Sequence, residues 1–154
     1  MISKAITRGR ACAIIRQADR ILLNRYGLDS FWALPGGAVE AGEFSPDGLV
    51  REIEEELGVV VDLGRLVWVI ENLFEYRGTH FTEYGFYYEA GWPPQSAIIE
   101  GEFAGEEPDQ FFRWVSAQEA AALDFRPSGL KLPLLALMSG AESPGPQHFM
   151  LSGK

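Results

Sequence analysis

The segment "SPDGLVREIEEELG", residues 45–58, places Glu52, Glu54, Glu55 and Glu56 within five positions. Leu49, Ile53 and Leu57 recur through it at every fourth residue, the spacing of one helix face. Ser45 suits an N-cap, Pro46 the first helical position and Gly58 the C-terminal stop. At ~100° per residue, Glu52, Glu55 and Glu56 stand at i, i+3 and i+4 and share a side. The apolar stripe runs beside them and anchors the helix to a sheet, while Glu54 projects toward solvent. Gly48 inside the helix costs up to ~1 kcal/mol relative to Ala, which points to close packing there.

Confined carboxylates raise one another's pKa. A solvated charged face is one reading of this pattern. The other is a divalent cation, which removes the repulsion; oxygen ligands suit Mg²⁺ or Mn²⁺ and disfavour Zn²⁺. The glycines just upstream, Gly36 and Gly37, favour the second reading, because such loops let backbone groups approach an ion or phosphate. No cysteine–histidine cluster offers a rival site. The single Cys12 lies in the apolar run "ACAII" and reads as a small buried hydrophobe, and His80 and His148 are far apart.

The remaining pattern is that of layered α/β structure. "RACAIIRQADRILLNRYG" predicts a hairpin turning at Gln17 to Asp19. "VVVDLGRLVWVIENLF" and "HFTEYGFYYEAGW" predict strands. "WPPQSAIIEGEFAGEEPDQ" predicts a loop with a short strand at Ala97 to Ile99. "FFRWVSAQEAAAL" predicts a strand and then a helix, with Ser116 and Glu119 as a capping box. A last helix starts near Ser128, with Pro133 interrupting or starting it. Residues 1–140 are expected to form one domain and 141–154 a flexible tail, and 154 residues suffice for one core. Thirteen basic against 22 acidic residues give a formal net charge of −9, which repels nucleic acid and anionic membranes. No apolar run approaches the ~18 residues needed to span a bilayer, and "MISKAITRGRACAII" lacks the features of a secretory leader. A lone cysteine gives no internal disulfide, so a cytoplasmic location is expected.

Gly37, Glu43, Arg51, Glu52, Ile53, Glu55, Glu56, Gly58 and Val59 also stand at the spacing of a known signature. That signature is Gly, five residues, Glu, seven residues, Arg-Glu, an aliphatic, any residue, Glu-Glu, any residue, Gly, an aliphatic. The chain thus resembles the Nudix hydrolases, the MutT-like pyrophosphohydrolases, and the likeness extends over most of residues 8–138. The resemblance implies an α/β/α sandwich with a mixed β-sheet between helices. It implies metal held by Glu52, Glu55, Glu56 and the Gly36 carbonyl, with Glu52 also the base that activates water. Arg51 and Glu43 would form the ion pair that orients the loop against the helix, with Gly37, Glu43 and Gly58 structural. The implied reaction is metal-dependent hydrolysis, with Mg²⁺ or Mn²⁺, of the pyrophosphate of a nucleoside diphosphate linked to a group X. ADP-ribose, nucleotide sugars, dinucleoside polyphosphates and (d)NTPs are the candidate classes. A silent nucleotide-binding or regulatory domain is the alternative, although such members usually lose a signature acid and this chain keeps all of them.

Many Nudix enzymes take a further metal-directed carboxylate from a loop ahead of a Trp-containing strand. In "GEFAGEEPDQFFRW" that is Glu107, with Glu106 beside it; Glu83 in "HFTEYGF", on a strand facing the site, is a further candidate to touch metal-bound water or substrate, and is assigned to substrate binding; solvated acids are the plain alternative. Arg25 is a candidate for phosphate or is a surface arginine. Phe31, Trp32, Phe74, Tyr76 and Phe81 could stack on a base, with Trp32 and Trp114 assigned to the core and His80 to the surface. The expected partner is a small nucleoside diphosphate derivative, with no nucleic acid or membrane, and the expected assembly is a homodimer.

Overall fold

A computed structural model describes residues 4–153. Strands β1 (Lys4–Gln17) and β2 (Arg20–Tyr26) form the hairpin, turning through Ala18 at φ 55° and Asp19. β3 (Gly36–Ala38) and helix α1 (Ser45–Leu57) follow. β4 (Asp62–Tyr76) and β5 (Thr79–Gly91) make a long antiparallel pair. β6 (Phe103–Ala104), β7 (Gln110–Ser116), α2 (Ala117–Ala122), a 3-10 turn (Ser128–Leu130), α3 (Lys131–Met138) and β8 (Gln147–Gly153) complete the chain. The strand order is β6-β7-β2-β1-β5-β4-β8, with β3 also on β1. The sheet is mixed: β1–β5 and β4–β8 are parallel, and the other pairs are antiparallel.

Each face of the sheet carries its own core. Leu49 and Ile53 of α1 pack on Ala11, Ala13, Ile15, Leu22, Phe112 and Trp114. On the other face Leu130, Leu134 and Leu137 pack on Cys12, Ile14, Ile21, Leu23 and Trp68. Alternation along β1 sends neighbouring residues to opposite cores. Helices therefore cover both faces, and the α/β sandwich expected from the sequence is what forms. Among the described residues, no helix is long and apolar enough to cross a membrane.

β1 and β2 pair directly only at Arg16–Ile21 and Gln17–Arg20. Beyond that they splay, and residues 33–38 wedge between them. Ala33 exchanges backbone hydrogen bonds with Asn24, Ala13 N–H donates to Pro35, and Gly36 to Ala38 pair with Cys12 to Arg10. A Cβ on Gly36 would stand 2.0 Å from the Ala11 carbonyl oxygen, so only glycine fits this crossing. The wedge brings the glycine loop to the flank of α1.

Three local expectations need correction, at Ser45, at 97–99 and in the tail, and one alternative, at Pro133, is resolved. Ser45 does not cap α1: Phe44 holds the cap position without a side-chain bond, and the Ser45 hydroxyl meets Tyr88 Oη at 2.6 Å. Pro46 lacks the N–H a cap would satisfy, and Gly48 N–H is taken by the Phe44 carbonyl. The short strand is at Phe103–Ala104, not Ala97 to Ile99, because Phe103 stacks on Phe112 at 5.8 Å and pairs with it across β7. Pro133 starts α3 within its first turn, where a missing N–H costs nothing. Residues 147–153, expected within a flexible tail, form β8 along β4, with Phe149 and Leu151 packed on the core. The Ser116–Glu119 capping box and the αL stop at Gly58 form as expected.

Candidate active site

α1 is fastened to the glycine loop through Arg51. Its guanidinium donates from Nη2 and Nε to both oxygens of Glu43, at 2.7 and 3.2 Å. Nη1 reaches Glu52 Oε1 at 3.0 Å and Glu55 at 3.3 Å, and Nη2 also reaches the Ala38 carbonyl at 3.3 Å. The hydrogen bonds from Arg51 and from the Glu40 N–H hold Glu43 below its usual pKa. Gly48 lies against this pair: a Cβ there would be 2.7 Å from Glu43 Oε1, which is the close packing its presence implied.

The helix acids have unequal surroundings. Glu55 is half exposed. Burial raises the Glu52 pKa, partly offset by Arg51. Glu56 is only 5% exposed. Burial pushes its pKa up to about 8; Arg10 pulls it down while Glu52 and Glu107 push it up. Glu56 Oε2 is buried and finds no hydrogen-bond partner among the described residues. Gln110 draws the Glu56 pKa down, yet neither of its amide atoms stands in hydrogen-bonding geometry, so the contact is a weak polar one. A buried carboxylate oxygen without a partner among the described residues, beside two other acids, has the oxygen-donor chemistry that a hard cation takes. Among the described residues, no three potential ligands already stand together at ligation distance, and Arg51 engages Glu52 and Glu55.

The loop before β7 is tied to the end of α1. Glu106 N–H donates to the Glu56 carbonyl at 2.7 Å, and a Cβ on Gly58 would lie 3.5 Å from Glu106 Oε1. Glu107 follows, and its charge acts on Glu56 and Tyr26. Glu83, the acid expected to meet metal-bound water or substrate, lies on the cavity side: it is buried and accepts from Arg8 Nε at 2.7 Å across the β1–β5 pair.

Next to these acids lies a cavity of about 160 Å³, whose lining includes Arg10, Asn24, Arg25, Tyr26, Asn72, Phe74, Tyr76 and Glu83. Arg25 reaches it with its charge engaged by Glu102 at 2.7 Å, and its guanidinium lies 5.0 Å from the Phe111 ring centre. Phe74 stacks on Phe81 at 5.1 Å, and Tyr76 donates to Asp29 at 2.8 Å. Trp32 and Trp114 are core, as expected.

Sequence reasoning missed Arg10, Asn24, Asn72 and Gln110. Arg10 donates from Nε to Cys12 Sγ at 3.3 Å and makes no carboxylate salt bridge among the described residues. Its charge nonetheless lowers the pKa of Glu52 and Glu56 and it lines the cavity, so it stands between the two halves of the site. The available signal was alternation: Arg8, Arg10 and Cys12 occupy one face of β1, where charges beside a buried thiol are unexpected.

Comparison with known proteins follows the same outline. The model of the NUDIX domain matches residues 6–134. An 8-oxo-dGTP diphosphatase of Haemophilus influenzae is 36% identical over 98 residues, covering 64% of each chain. Diphosphoinositol polyphosphate phosphohydrolase 2 of Homo sapiens is 42% identical over 67 residues, 40% of this chain and 36% of that protein. Against the first curated relatives the match spans 31–40% of their length. The MutT protein from Bacillus halodurans superposes with a TM-score of 0.68 at 20% identity, covering 93% of this chain and 90% of that one.

Proposed function

The chain belongs to the Nudix hydrolase family, and from that premise we propose that it hydrolyses the pyrophosphate linkage of a nucleoside diphosphate joined to a second group, with a divalent cation. The observation that carries the proposal is the buried, unpartnered Glu56 Oε2 beside Glu52 and Glu107, next to a cavity lined by Arg10. That donor set fits Mg²⁺ or Mn²⁺. Glu52, Glu55 and Glu56 would hold the ion, with Glu107 and the Gly36 carbonyl as further oxygen donors. The bound ion would draw charge from the anhydride and lower the pKa of a water.

The remaining work falls to the chain. Arg10, close to both the acids and the cavity, neutralises substrate phosphate. Arg51 keeps the glycine loop and the acidic face in register. Glu52, on the acidic face, takes the proton from the attacking water. The water oxygen bonds to one phosphorus as the bridging P–O bond breaks, and the departing phosphate keeps the bridging oxygen. Phe74 and Tyr76 line the neighbouring cavity for the rest of the substrate, and Arg25 becomes available to phosphate only if it leaves Glu102.

The test is a panel of nucleoside diphosphate derivatives and (d)NTPs, with nucleotide products resolved by chromatography and phosphate or pyrophosphate release measured, in Mg²⁺, Mn²⁺ or EDTA, alongside Mn²⁺ titration followed by electron paramagnetic resonance. Turnover on part of the panel that EDTA abolishes, together with Mn²⁺ binding that Glu56→Gln weakens, supports the reading. Undiminished turnover in EDTA, or Mn²⁺ binding unchanged in Glu56→Gln, overturns it.

A further inference from the structure

Asn24 on β2 and Asn72 on β4 are 2% and 4% exposed, and both line the cavity. Each has a buried Oδ1 that finds no hydrogen-bond partner among the described residues. The Asn24 backbone is already satisfied, exchanging two hydrogen bonds with Ala33 at 2.8 and 2.9 Å, so its side chain is not needed to hold the strand. Buried carboxamide oxygens are nearly always paired, and a pair of exceptions in one cavity calls for a ligand. Turning a carboxamide by 180° exchanges its acceptor for a donor, so each side chain can meet an N–H or a C=O on a ligand edge.

The walls narrow the ligand class. Phe74 and Phe31 offer apolar ring surface, with the Phe31 and Tyr76 rings meeting edge-on at 6.3 Å. The cavity cations other than Arg10 are engaged locally: Arg8 by Glu83 at 2.7 Å, Arg25 by Glu102 at 2.7 Å and Arg126 by Asp124 at 3.1 Å. Asp29, Glu75 and Glu83 add negative charge to the lining. A polyphosphorylated polyol needs several uncommitted cations and has no flat face. A nucleobase needs flat walls and amide partners for its edge.

We infer that Asn24 and Asn72 are specificity-determining residues that read the hydrogen-bonding edge of a nucleobase, and that the cavity discriminates against polyphosphorylated polyols. The inference rests on the hydrolase reading for its substrate class, but its recognition element is separate from the acids.

The experiment compares kcat/KM for nucleoside triphosphates carrying guanine, adenine, uracil, cytosine or unsubstituted purine, and for a diphosphoinositol polyphosphate, in the wild type and in Asn24→Leu and Asn72→Leu. Titration of the matching phosphate-free nucleosides, followed by NMR in EDTA, runs in parallel. At least one substituted base should exceed unsubstituted purine by 10-fold or more, mainly through KM, and that ratio should fall toward one in each variant. If a leucine variant does not fold, Asn24→Ser or Asn72→Ser takes its place with the same expected collapse. Equal use of substituted and unsubstituted bases, an unchanged ratio in both variants, or preference for the diphosphoinositol substrate overturns the inference while leaving pyrophosphate hydrolysis intact. If no anhydride is cleaved, the hydrolase reading fails and the nucleoside titration decides alone. Binding that favours a substituted base and is lost in Asn72→Leu then supports the inference, and no nucleoside binding at millimolar concentration overturns it.

Discussion

A Cβ atom on Gly37 would lie 2.3 Å from the carboxyl carbon of Glu52. The obstructing group is the end of a flexible side chain, so the fold can yield, but only by moving the carboxylate. Gly37→Ala should therefore lower kcat by 10-fold or more while shifting Tm by less than about 2–4 °C, the change expected per kcal/mol in a chain of this size. Unfolding of the variant, or wild-type kcat, would count against the assigned contact.

Glu56 sets a pH dependence of known sign. Its folded pKa, about 8, exceeds the ordinary 4.5. Between those values the folded chain keeps a proton that the unfolded chain has lost, so this group's contribution to stability falls as pH rises through that window. Glu56→Gln does not titrate. In EDTA its Tm should match wild type near pH 4.5 and exceed it by about 2–4 °C or more above pH 8. Melting curves at four pH values across the window check this, and a gap that narrows with rising pH would refute it.

Arg51 should behave as a structural cation. Arg51→Ala strands Glu43 and lets Glu52 and Glu55 repel, so Tm and kcat should both fall, kcat by 100-fold or more. Arg51→Lys keeps the charge but not the two-pronged grip on Glu43, and should recover part of the stability and little of the activity. Paired thermal melts and initial rates read both effects.

The loop acids should separate by position. Glu107, acting on Glu56, is expected to matter: Glu107→Gln should lower kcat 10-fold or more and raise the Mg²⁺ concentration needed for half-maximal rate. Glu100 is paired with Arg20 at the exposed surface at 2.8 Å, and Glu100→Gln should leave both Tm and kcat at the wild-type level. Glu102→Gln frees Arg25 and should leave kcat close to wild type. A crippled Glu83→Gln or Glu106→Gln beside a normal Glu107→Gln would move the assignment.

The acidic helix was legible because its information is local: the Leu49–Ile53 stripe, Gly58 and the signature spacing sit within one segment. The hairpin was legible for the same reason. β8 was not, because Phe149 and Leu151 alternate over too few residues between Ser, Pro and Gly, and their partner strand β4 is distant in sequence. Arg10, Asn24 and Asn72 were hidden differently. Each stands beside another polar or charged residue and reads as ordinary strand surface, Arg10 after Arg8 and Gly9, Asn24 before Arg25 and Asn72 after Glu71, and only the sheet order, which sets β2, β1 and β4 around one cavity, makes them neighbours. Glu83 could be read as an acid for metal-bound water or for substrate; in the structure it pairs with Arg8 and lines the cavity.

The placement of β8 has a consequence for the order of assembly. Gly153 lines the cavity, and β8 joins β4 in parallel only after β5, β6, β7, α2 and α3 have intervened. α1 packs on β1 and β3, which are near it in sequence. Short-range contacts close before long-range ones. A refolding chain should therefore dock its acidic helix while the cavity still lacks a wall, and pulsed hydrogen exchange should protect the amides of α1 ahead of those of β8. Partly folded chains would carry the acids proposed to hold a metal before they can choose what is brought to it.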